Sequence, residues 1–347
     1  MVCLFVPALA SRAAEFLKNM AERWLVVGGS GYIGSHLAAE IMDRRMPSVE
    51  VVVFDKLMMP AGLQNIPGLT YFPGDLSNLG SLRRVFEIFG PFTTVFHLAG
   101  SSIVSESMSD PLKYFEDNVS NGINLVKACV ENKVQNFVFS SSAAIFYGEG
   151  AVIPLSETAI IRPASPYGVS KLMFERVLDC TAKTHGMKCA SLRYFNAAGC
   201  DPQGRLGENH FPETHLIPVV IDAALNGNLF VVNGSDYPTP DGTAIRDFVH
   251  VKDLADAHIR VLNVLKENTN VKYNLGTGKG YSVREVIHTV ESLTRERVKF
   301  MSRFRRSGDP AYLVADPSAF IQDAKWELKH SYLDEIVDTT YAWRKRK

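Results

Sequence analysis

Two side chains that can move a proton lie four residues apart in the segment SPYGVSK, residues 165–171. Pro166 opens a stretch with helical spacing, so Tyr167 and Lys171 are expected on the same face of a helix. A tyrosinate can take a proton from a hydroxyl while hydride leaves the same carbon, provided that the pKa of the tyrosine is lowered. Lowering it from about 10 to about 7 requires roughly 4 kcal/mol, and a nearby ammonium has the right sign to contribute. An isolated pair of this kind more often covers apolar surface, so further signals are needed.

A third polar group ends an apolar run, FSSSAAIFYG at residues 139–148. Ser142 falls where this predicted strand ends, at the carboxyl edge at which open α/β sheets bind ligands. Its hydroxyl would hold the reacting hydroxyl at a fixed distance from the base. We therefore predict that Ser142, Tyr167 and Lys171 are the catalytic residues.

The segments around these residues alternate between strand and helix. From Trp24 an apolar run, WLVVGG, is followed by helical spacing in YIGSHLAAEIMDRR and by a second apolar run, VEVVVFD. The alternation continues through the predicted helix LGSLRRVFEIF and one long predicted helix, DPLKYFEDNVSNGINLVKACVEN at residues 110–132, to NFVFSSS. Strands that are apolar on both faces indicate a parallel sheet with helices on both sides. We predict an α/β fold, a Rossmann-type doubly wound parallel sheet with a smaller, loop-rich α/β substrate-binding lobe.

After Arg193 this rhythm gives way to loops rich in Gly, Pro and Asp. We therefore expect an N-terminal extension at residues 1–22, a Rossmann domain at 23–195 and mainly the lobe at 196–347. Some segments of the last part are expected to return to the Rossmann domain. The extension has a short apolar run without a preceding basic region, so a secretory signal is the less favoured interpretation.

The turn between the first strand and the first helix reads GGSGYIG, with Gly28, Gly31 and Gly34 spaced three apart. Glycines allow a tight turn that brings backbone N–H groups and the helix dipole against a pyrophosphate. Asp55 ends the second strand, where a carboxylate accepts hydrogen bonds from an adenosine ribose and repels a 2′-phosphate. This pattern predicts NAD rather than NADP. Gly-Asp-Leu at residues 74–76 is either an adenine contact or a simple turn.

Bulk composition narrows the function further. Lys and Arg together number 37, as do Asp and Glu, so the formal net charge is zero and nucleic-acid binding receives no support. The five cysteines are scattered without a C-x-x-C pair, which favours a reducing compartment and does not suggest a metal site. No segment reaches the roughly 20 apolar residues of a transmembrane helix. We expect a cytoplasmic protein that binds neither nucleic acid, membrane nor metal.

The glycine-rich turn, the strand-end aspartate and serine, and the YxxxK pair together resemble the extended short-chain dehydrogenase/reductase superfamily. In the second half, RYFNAAGCDPQGRLGE and DYPTPDGTAIRDFVHVKDLADAH resemble the UDP-galactose 4-epimerase (UDP-glucose 4-epimerase) family. PETHLIP, YNLGTGKGYSVREV and RRSGDPAYLVAD add to the resemblance, which covers nearly the whole chain from Trp24. The longest of these motifs is highly specific, whereas the superfamily motifs are only moderately so.

The resemblance implies an NAD-dependent isomerase that interconverts UDP-galactose and UDP-glucose at C4 through a transient 4-keto sugar. Tyr167 is the implied base, Lys171 lowers its pKa and holds the nicotinamide ribose, and Ser142 orients the C4 hydroxyl. Hydride passes to NAD⁺ and returns to the other face of the sugar, so NAD is not consumed. The implied cofactor-binding residues are Gly28, Gly31, Tyr32, Ile33, Gly34, Asp55, Asp75, Leu76, Leu98, Ala99, Gly100, Asn118, Ser140, Tyr167, Lys171 and Tyr194.

For the UDP-hexose substrate, the resemblance implies a second set of contacts. An arginine suits the diphosphate because its planar fork pairs two donors with a phosphate. From the residues alone, Arg246 is as readily a partner of Asp247 or Asp241, and Arg306 a member of a solvated basic run. The implied substrate-binding residues are Ser142, Tyr167, Asn196, Val231, Asn233, Arg246, Arg306 and Asp309.

Three positions depart from the pattern of the family. Ser102 replaces a lysine that commonly lies beside the cofactor, and Asn233 stands where an aromatic residue often flanks the uracil. Leu313 occupies a gate whose bulk decides whether an N-acetylated sugar fits. Leucine there favours plain hexoses without excluding the rest.

Several alternatives stay open at this point. A nucleotide-sugar dehydratase is disfavoured because Ala143 and Ala144 stand where its acid/base pair would be required. An epimerase of another UDP-sugar, such as an N-acetylhexosamine or a pentose, and a non-catalytic NAD-binding sensor remain. A homodimer is expected through the helical stretches containing Phe115, Asn118 and Asn121 and through LMFERVLDCTAKTH, with packing within one chain as the alternative. His97 is interpreted as a hydrogen-bonded core histidine rather than a base.

Overall fold

The computed structural model describes residues 22–46, 48–64, 66–146, 152–306 and 309–346. The predicted N-terminal extension lies outside these ranges except for Glu22. The strands in chain order are β1 (Glu22–Val27), β2 (Val49–Asp55), β3 (Leu69–Pro73), β4 (Thr94–His97), β5 (Asn136–Ser142), β6 (Lys188–Tyr194), β7 (Asn196–Ala198), β8 (Phe230–Asn233), β9 (Ile245–Arg246), β10 (Phe248–His250), β11 (Asn270–Leu275), β12 (Tyr281–Ser282), β13 (Phe300–Arg303) and β14 (Tyr312–Leu313).

The helices alternate with the strands in the first half and separate short strands in the second. A π-helical turn, Glu116–Ser120, and a 3-10 turn, Ala143–Ile145, complete the helical segments of the described residues. The α-helices are α1 (Tyr32–Asp43), α2 (Ala61–Gln64), α3 (Leu79–Phe89), α4 (Val104–Ser109), α5 (Pro111–Phe115), α6 (Asn121–Glu131), α7 (Pro166–His185), α8 (Leu216–Asn226), α9 (Val251–Glu267), α10 (Val283–Thr294), α11 (Ser318–Ala324) and α12 (Leu333–Arg344).

Seven parallel strands form the central sheet, in the order β3-β2-β1-β4-β5-β6-β11. The strand order reverses between β1 and β4, and in sheets of this type the crevice at that point binds the ligand. The predicted Rossmann-type doubly wound parallel sheet is confirmed.

Helices cover both faces of this sheet, and strand β1 shows how the sequence encodes two buried faces. Trp24 and Val26 pack into one core, which also contains side chains of α1, α9 and α11. Leu25 and Val27 point the other way, into a core shared with α3, α6 and α7. Successive side chains of a strand point to opposite faces, so a continuous apolar run is what a doubly covered strand requires.

Helix α7 carries two of the predicted catalytic residues, and its start is fixed locally. The Ser165 hydroxyl accepts a 3.2 Å hydrogen bond from the backbone N–H of Gly168, and Pro166 occupies the first helical position. The helix ends at His185 and is followed by Gly186, whose φ of 70° is left-handed. Among the described helices, α7 included, none combines the length and apolarity of a membrane span.

The second half builds short strand pairs around a third core. Strand β7 pairs with β10, β8 pairs with β13, and β9 lies between β12 and β14. Helices α8, α10 and α12 pack around this core. Strand β11 pairs with β6, and α9 packs on α1, so parts of the second half complete the central sheet. The boundary at residues 195 and 196 stays a prediction.

Candidate active site

The three predicted catalytic residues come together at the carboxyl end of β5. Ser142 ends this strand, and Tyr167 and Lys171 lie in the first turns of α7. The hydroxyl of Ser142 lies near enough to the phenol of Tyr167 to lower its pKa. The ammonium of the buried Lys171 donates a 2.9 Å hydrogen bond to the carbonyl oxygen of Ser140. We call this group of Ser142, Tyr167 and Lys171 the catalytic corner.

Burial sets the pKa values of the catalytic corner. It raises the pKa of Tyr167 above its usual value, and the nearby Ser142 hydroxyl opposes this only in part. Burial also lowers the pKa of Lys171 to about 8, because its ammonium loses hydration. Nζ of Lys171 lies 5.8 Å from the centroid of the Tyr167 ring. The protein groups alone therefore keep the phenol protonated, and the lowered pKa that a tyrosinate base requires needs further positive charge.

A buried ion pair that sequence reasoning missed holds α7 against the sheet. The guanidinium of Arg193 on β6 binds the carboxylate of Glu175 on α7 through two hydrogen bonds, of 3.0 and 2.9 Å. Ser141 on β5 donates a third, of 2.6 Å, to the same carboxylate. Both charged side chains are at most 2% exposed. The bidentate geometry fixes the position of α7, and with it Tyr167 and Lys171, relative to β5 and β6.

Asn118, a predicted cofactor residue, lies in the π-helical turn beside the catalytic corner. Its side-chain oxygen accepts a 2.8 Å hydrogen bond from the backbone N–H of Ser101, and its amide donates to the carbonyl oxygen of Ser101 at 3.0 Å and to the hydroxyl of Ser170 at 2.9 Å. The π turn interrupts the single long helix that the sequence predicted, as such turns often do near functional sites. Asn118 thereby fixes the loop after β4 against α7.

The turn GGSGYIG at residues 28–34, which we call the phosphate loop after its predicted ligand, has close backbone contacts. Gly28 has a φ of +84°, and a Cβ on Gly34 would lie 2.1 Å from the carbonyl oxygen of Gly28. Gly31 immediately precedes α1. Asp55 at the end of β2 accepts a 2.8 Å hydrogen bond from the backbone N–H of Ser30. The hydroxyl oxygen of Ser30 is buried and has no hydrogen-bond partner among the described residues, as expected of a group that receives a ligand.

The loop after β4 closes on the phosphate loop. The backbone N–H groups of Leu98 and Ala99 both donate to the carbonyl oxygen of Val27, at 2.8 and 3.1 Å. A Cβ on Gly28 would lie 2.4 Å from the nitrogen of Ala99. Gly100 has a φ of +148°, and a Cβ there would lie 3.9 Å from Nζ of Lys171. These contacts connect the phosphate loop to the catalytic corner.

The other predicted cofactor residues have surroundings of different kinds. Tyr32 donates a hydrogen bond to the carbonyl oxygen of Gly199, and Ile33 packs against the core that contains α1. Asp75 accepts hydrogen bonds of 2.9 Å from the backbone N–H and the hydroxyl of Ser77, so its carboxylate organises a turn. The side chain of Leu76 is buried in the core.

Ser140 and Tyr194 lie on neighbouring strands behind the catalytic corner. Tyr194 pairs in register with Ser142, and its buried phenol is hydrogen-bonded to the ring of His258. Burial raises the pKa of Tyr194 well above its usual value. Ser140 is buried, and its carbonyl oxygen is the acceptor for Lys171. Both residues therefore support the corner from behind.

Two of the predicted diphosphate residues pair with each other. The guanidinium of Arg246, at the end of β9, is hydrogen-bonded to the carboxylate of Asp309, 63 residues later. Its other terminal nitrogen donates to the carbonyl oxygen of Ile245 at 2.7 Å. Arg306 is exposed, and its carbonyl oxygen accepts a 3.2 Å hydrogen bond from the N–H of Asp309. We call Arg246, Arg306 and Asp309 the diphosphate corner.

Asp247, one of the acids considered as a partner of Arg246, has another role. It accepts hydrogen bonds of 2.8, 3.0 and 3.1 Å from the backbone N–H groups of Thr277, Gly278 and Ala315. Its buried carboxylate thus fastens the segments after β11 and β14 to β9, and it supports the diphosphate corner indirectly.

The last three predicted substrate residues lie in the lobe. Asn196 begins β7, which follows β6 of the central sheet, and its buried side-chain oxygen has no hydrogen-bond partner among the described residues. Val231 and Asn233 lie on β8, where Arg303 donates a hydrogen bond to the side-chain oxygen of Asn233. Leu313 on β14 pairs in register with Arg246, which places the predicted gate beside the diphosphate corner.

His97 corrects one sequence prediction. It lies in the core at 1% exposure, as predicted, but neither ring nitrogen has a hydrogen-bond partner among the described residues. Its ring packs against Phe137, Phe139 and Phe174 instead. Burial lowers its pKa to about 3, so it stays neutral. The expected hydrogen bond is wrong because aromatic side chains fill the space around the ring.

The fold and the site define a class: a Rossmann-type enzyme of the short-chain dehydrogenase/reductase kind. The model of the "NAD dependent epimerase/dehydratase family" matches residues 24–276. The UDP-glucose 4-epimerase of Halalkalibacterium halodurans is 40% identical over 92% of this chain and 95% of its own length. The chain belongs to the NAD dependent epimerase/dehydratase family and, within it, to the UDP-glucose 4-epimerases, which are NAD-dependent isomerases.

Solved structures agree with this assignment. The UDP-glucose 4-epimerase from Brucella ovis in complex with NAD superposes with a TM-score of 0.86 at 40% identity, covering 93% of this chain and 98% of that one. The enzyme from Bifidobacterium longum in complex with NAD⁺ and UDP gives a TM-score of 0.86 at 32% identity, with coverage of 94% and 98%. The similarity therefore extends over both the sheet and the lobe.

Proposed function

We propose that the chain interconverts UDP-galactose and UDP-glucose at C4, with Tyr167 as the base. The observation that carries this proposal is the meeting of Ser142, Tyr167 and Lys171 at the sheet edge, beside a loop that contacts the phosphate loop through Gly28. A binding protein without catalysis would have no use for a serine, a tyrosine and a buried lysine brought together at this place.

Each residue of the catalytic corner has a defined part in moving the proton. Tyr167 takes the proton of the C4 hydroxyl and later returns it to the 4-keto oxygen. Ser142 donates a hydrogen bond to the same sugar oxygen and keeps it at a fixed distance from the phenol. Lys171 supplies positive charge that stabilises the tyrosinate, because burial strengthens electrostatic interactions. Its hydrogen bond to Ser140 keeps the ammonium in place.

The residues that would hold NAD fit it. The Gly28–Gly34 loop leaves room for a pyrophosphate at the start of α1, and Asp55 would hold the adenosine ribose. The hydroxyl of Ser30, which is buried without a partner, is available to a phosphate oxygen. When bound, NAD supplies the acceptor of the C4 hydride and the donor for its return. Its positive charge has the sign that the pKa of Tyr167 requires.

The diphosphate corner would hold the UDP part of the substrate. Asp309 orients the guanidinium of Arg246, and the exposed Arg306 follows β13, which carries Arg303, the partner of Asn233. The side-chain oxygen of Asn196 is available to a donor of the substrate. Because most of the binding energy comes from UDP rather than from the hexose, the 4-keto sugar can rotate and present its other face between the two hydride transfers.

Leu313 beside Arg246 supports a plain hexose as the preferred sugar. Its side chain is larger than that of a serine or cysteine, so it narrows the space next to the diphosphate. UDP-N-acetylhexosamines and UDP-pentoses are the alternative substrates of the same site. The relative rates of epimerisation of these UDP-sugars show which one the enzyme prefers.

A homodimer in the cytoplasm completes the proposal. Helices α4, α5 and α7 pack together and expose apolar side chains, among them Met108 at 60%, Leu112 at 76% and Met173 at 45%. A second copy seated on them would bury this surface. Light scattering coupled to size exclusion tests the dimer, and Leu112→Glu is expected to shift it to a monomer.

The decisive experiment follows the sugar directly. The purified protein, without added NAD and then with it, is incubated with UDP-galactose, UDP-glucose and their N-acetyl counterparts, and each 4-epimer is followed by NMR. We expect interconversion that Tyr167→Phe lowers on the order of 10³-fold, the loss typical of a missing general base. Tyr332→Phe, at a 66% exposed tyrosine, is the matched control. If no sugar interconverts even with NAD supplied, the proposal fails and a non-catalytic NAD-binding role replaces it.

A further inference from the structure

Four metal-ligating side chains converge in a segment that the proposed reaction does not use. Glu208, His210, Glu213 and His215 each offer one ligand atom, and these atoms all lie within 4.8 Å of one another. In the sequence they form two Glu-x-His pairs, ENH and ETH, separated by two residues. The cysteine pattern gave no reason to expect a metal, and these four residues contain no cysteine.

The two glutamates of the cluster are buried, and the two histidines lie closer to solvent. The side chains of Glu208 and Glu213 are 3% and 9% exposed, whereas those of His210 and His215 are 37% and 46% exposed. The two carboxylates are therefore desolvated close to each other, which is unfavourable unless a positive charge joins them. The histidines form the rim and leave a path from solvent.

One oxygen of the cluster is an independent sign of a ligand. Oε2 of Glu213 is buried and has no hydrogen-bond partner among the described residues. The other oxygen, Oε1, already accepts the backbone N–H groups of Thr214 and His215, at 2.9 and 3.1 Å. Arg344 lies 3.9 Å from Oε2, beyond hydrogen-bonding distance, and its guanidinium is hydrogen-bonded to Asp222. This buried oxygen therefore has a cationic neighbour but no hydrogen-bond donor, which leaves its lone pairs available to a metal ion.

We propose that Glu208, His210, Glu213 and His215 form a binding site for a divalent transition metal of the Zn²⁺ type. Two imidazole nitrogens and two carboxylate oxygens suit such a metal, whereas Ca²⁺ and Mg²⁺ prefer oxygen ligands only. Two carboxylates and two neutral imidazoles carry two negative charges, which a divalent ion neutralises. Bonds of about 2.0–2.2 Å place tetrahedral ligand atoms about 3.3–3.6 Å apart, within reach of small side-chain rotations from this cluster.

The position of the site indicates a structural metal. Four protein ligands close a tetrahedral shell, whereas catalytic zinc keeps one position open. Glu208 lies in the loop after β7, and His215 directly precedes α8. The ring of His210 meets the ring of Tyr32, at the start of α1, edge-on with centroids 6.3 Å apart. A metal here would fasten the loop before α8 next to the first turn of the cofactor-binding helix.

Metal binding by the full-length protein tests the proposal without any activity assay. The protein is stripped with a chelator, titrated with zinc chloride in a metal buffer, and measured by calorimetry and by elemental analysis after desalting. We expect stoichiometric zinc, a higher Tm on zinc addition, and no displacement by excess Mg²⁺. Cobalt in place of zinc should give the intense visible absorption of tetrahedral Co²⁺.

Matched variants separate this site from adventitious binding. The double variant His210→Ala/His215→Ala should bind zinc on the order of 100-fold more weakly and lose the Tm increase. His185→Asn, which removes an exposed histidine at the end of α7, should bind as the unaltered chain does. Glu213→Gln serves if the double variant does not fold, as judged by circular dichroism. Equal zinc binding by the altered and unaltered chains, or a cobalt complex of the unaltered chain without tetrahedral bands, overturns the proposal.

Discussion

The catalytic corner and the diphosphate corner are built on different kinds of scaffold. Ser142, Tyr167 and Lys171 lie on a seven-residue strand and a 20-residue helix, which the buried Glu175–Arg193 pair holds together. The diphosphate corner joins a two-residue strand to a loop through an ion pair that is 12% and 31% exposed at its two members.

This difference separates stability from binding. Removing one partner of a buried bidentate ion pair lowers the free energy of unfolding by several kcal/mol, whereas part-exposed pairs contribute little to it. Changes behind the catalytic corner should therefore affect folding and activity together. Changes in the diphosphate corner should affect substrate affinity while leaving the fold intact.

Removing the carboxylate behind α7 should have the largest effect on stability. Glu175→Gln leaves the Arg193 guanidinium buried without a counter-charge, so the free energy of unfolding should fall by about 3–5 kcal/mol. Chemical denaturation measures this change. Glu327→Gln, at a 71% exposed glutamate, is the control.

A second variant tests whether the loss comes from the orphaned charge. Glu175→Leu/Arg193→Met replaces both charges by apolar groups and should be clearly more stable than Glu175→Gln. A double variant no better than the single one would mean that packing, rather than charge, holds α7 in place.

Replacing Lys171 by a neutral residue should have the second largest effect, and it should lower the reaction rate rather than the free energy of unfolding. Lys171→Met removes the buried ammonium near the Tyr167 ring, and we expect kcat to fall by about 10²–10³-fold. Kinetics with UDP-galactose measures it, at saturating NAD. Lys183→Met, at an exposed lysine on the same helix, should retain full activity. A Lys171→Met enzyme with unchanged kcat would remove the lysine from the proposed proton transfer.

The sequence was sufficient for elements whose signals are local. Helix α3 has the bounds of the segment LGSLRRVFEIF, and the glycine spacing predicted the tight turn in which Gly34 approaches the backbone of Gly28. The predicted long helix at residues 110–132 is instead divided by a π turn, because Asn118 bonds to Ser101 and Ser170. Tertiary contacts of this kind leave no periodic signal.

The missed pairs show the same limit for the site. Glu175 and Arg193 are 18 residues apart on different elements, so no spacing rule connects them. The pair of Arg246 and Asp309 depends on how β9 and a distant loop meet. The Glu-x-His pairs were visible in the sequence, but only the loop conformation brings Glu208 and His215 into contact.

A change at the diphosphate corner should be smaller and confined to binding. Arg246→Leu removes the guanidinium that would bind the diphosphate, so KM for UDP-galactose should rise by about 30–150-fold, or about 2–3 kcal/mol. The Tm should stay near that of the unaltered chain, as thermal unfolding would show. Arg297→Leu, at a 91% exposed arginine, is the control. A large loss of stability in Arg246→Leu would contradict the proposal that the diphosphate corner contributes to substrate affinity and not to folding.

The smallest expected effect is the pH dependence that the buried lysine gives to the catalytic corner. Because burial lowers the pKa of Lys171 to about 8, its ammonium is present below that pH and is lost as the pH rises through it. If the ammonium stabilises the tyrosinate, kcat should fall by at most about tenfold per pH unit above pH 8.

The free energy of unfolding should instead rise with pH in this range, since the lysine of the unfolded chain titrates near 10.4 and binds more protons between the two pKa values. Folding is therefore expected to gain stability from about pH 8 to about pH 10.4 while activity declines, and Lys171→Met should lose both slopes. Parallel decline of activity and stability would instead point to general alkaline unfolding.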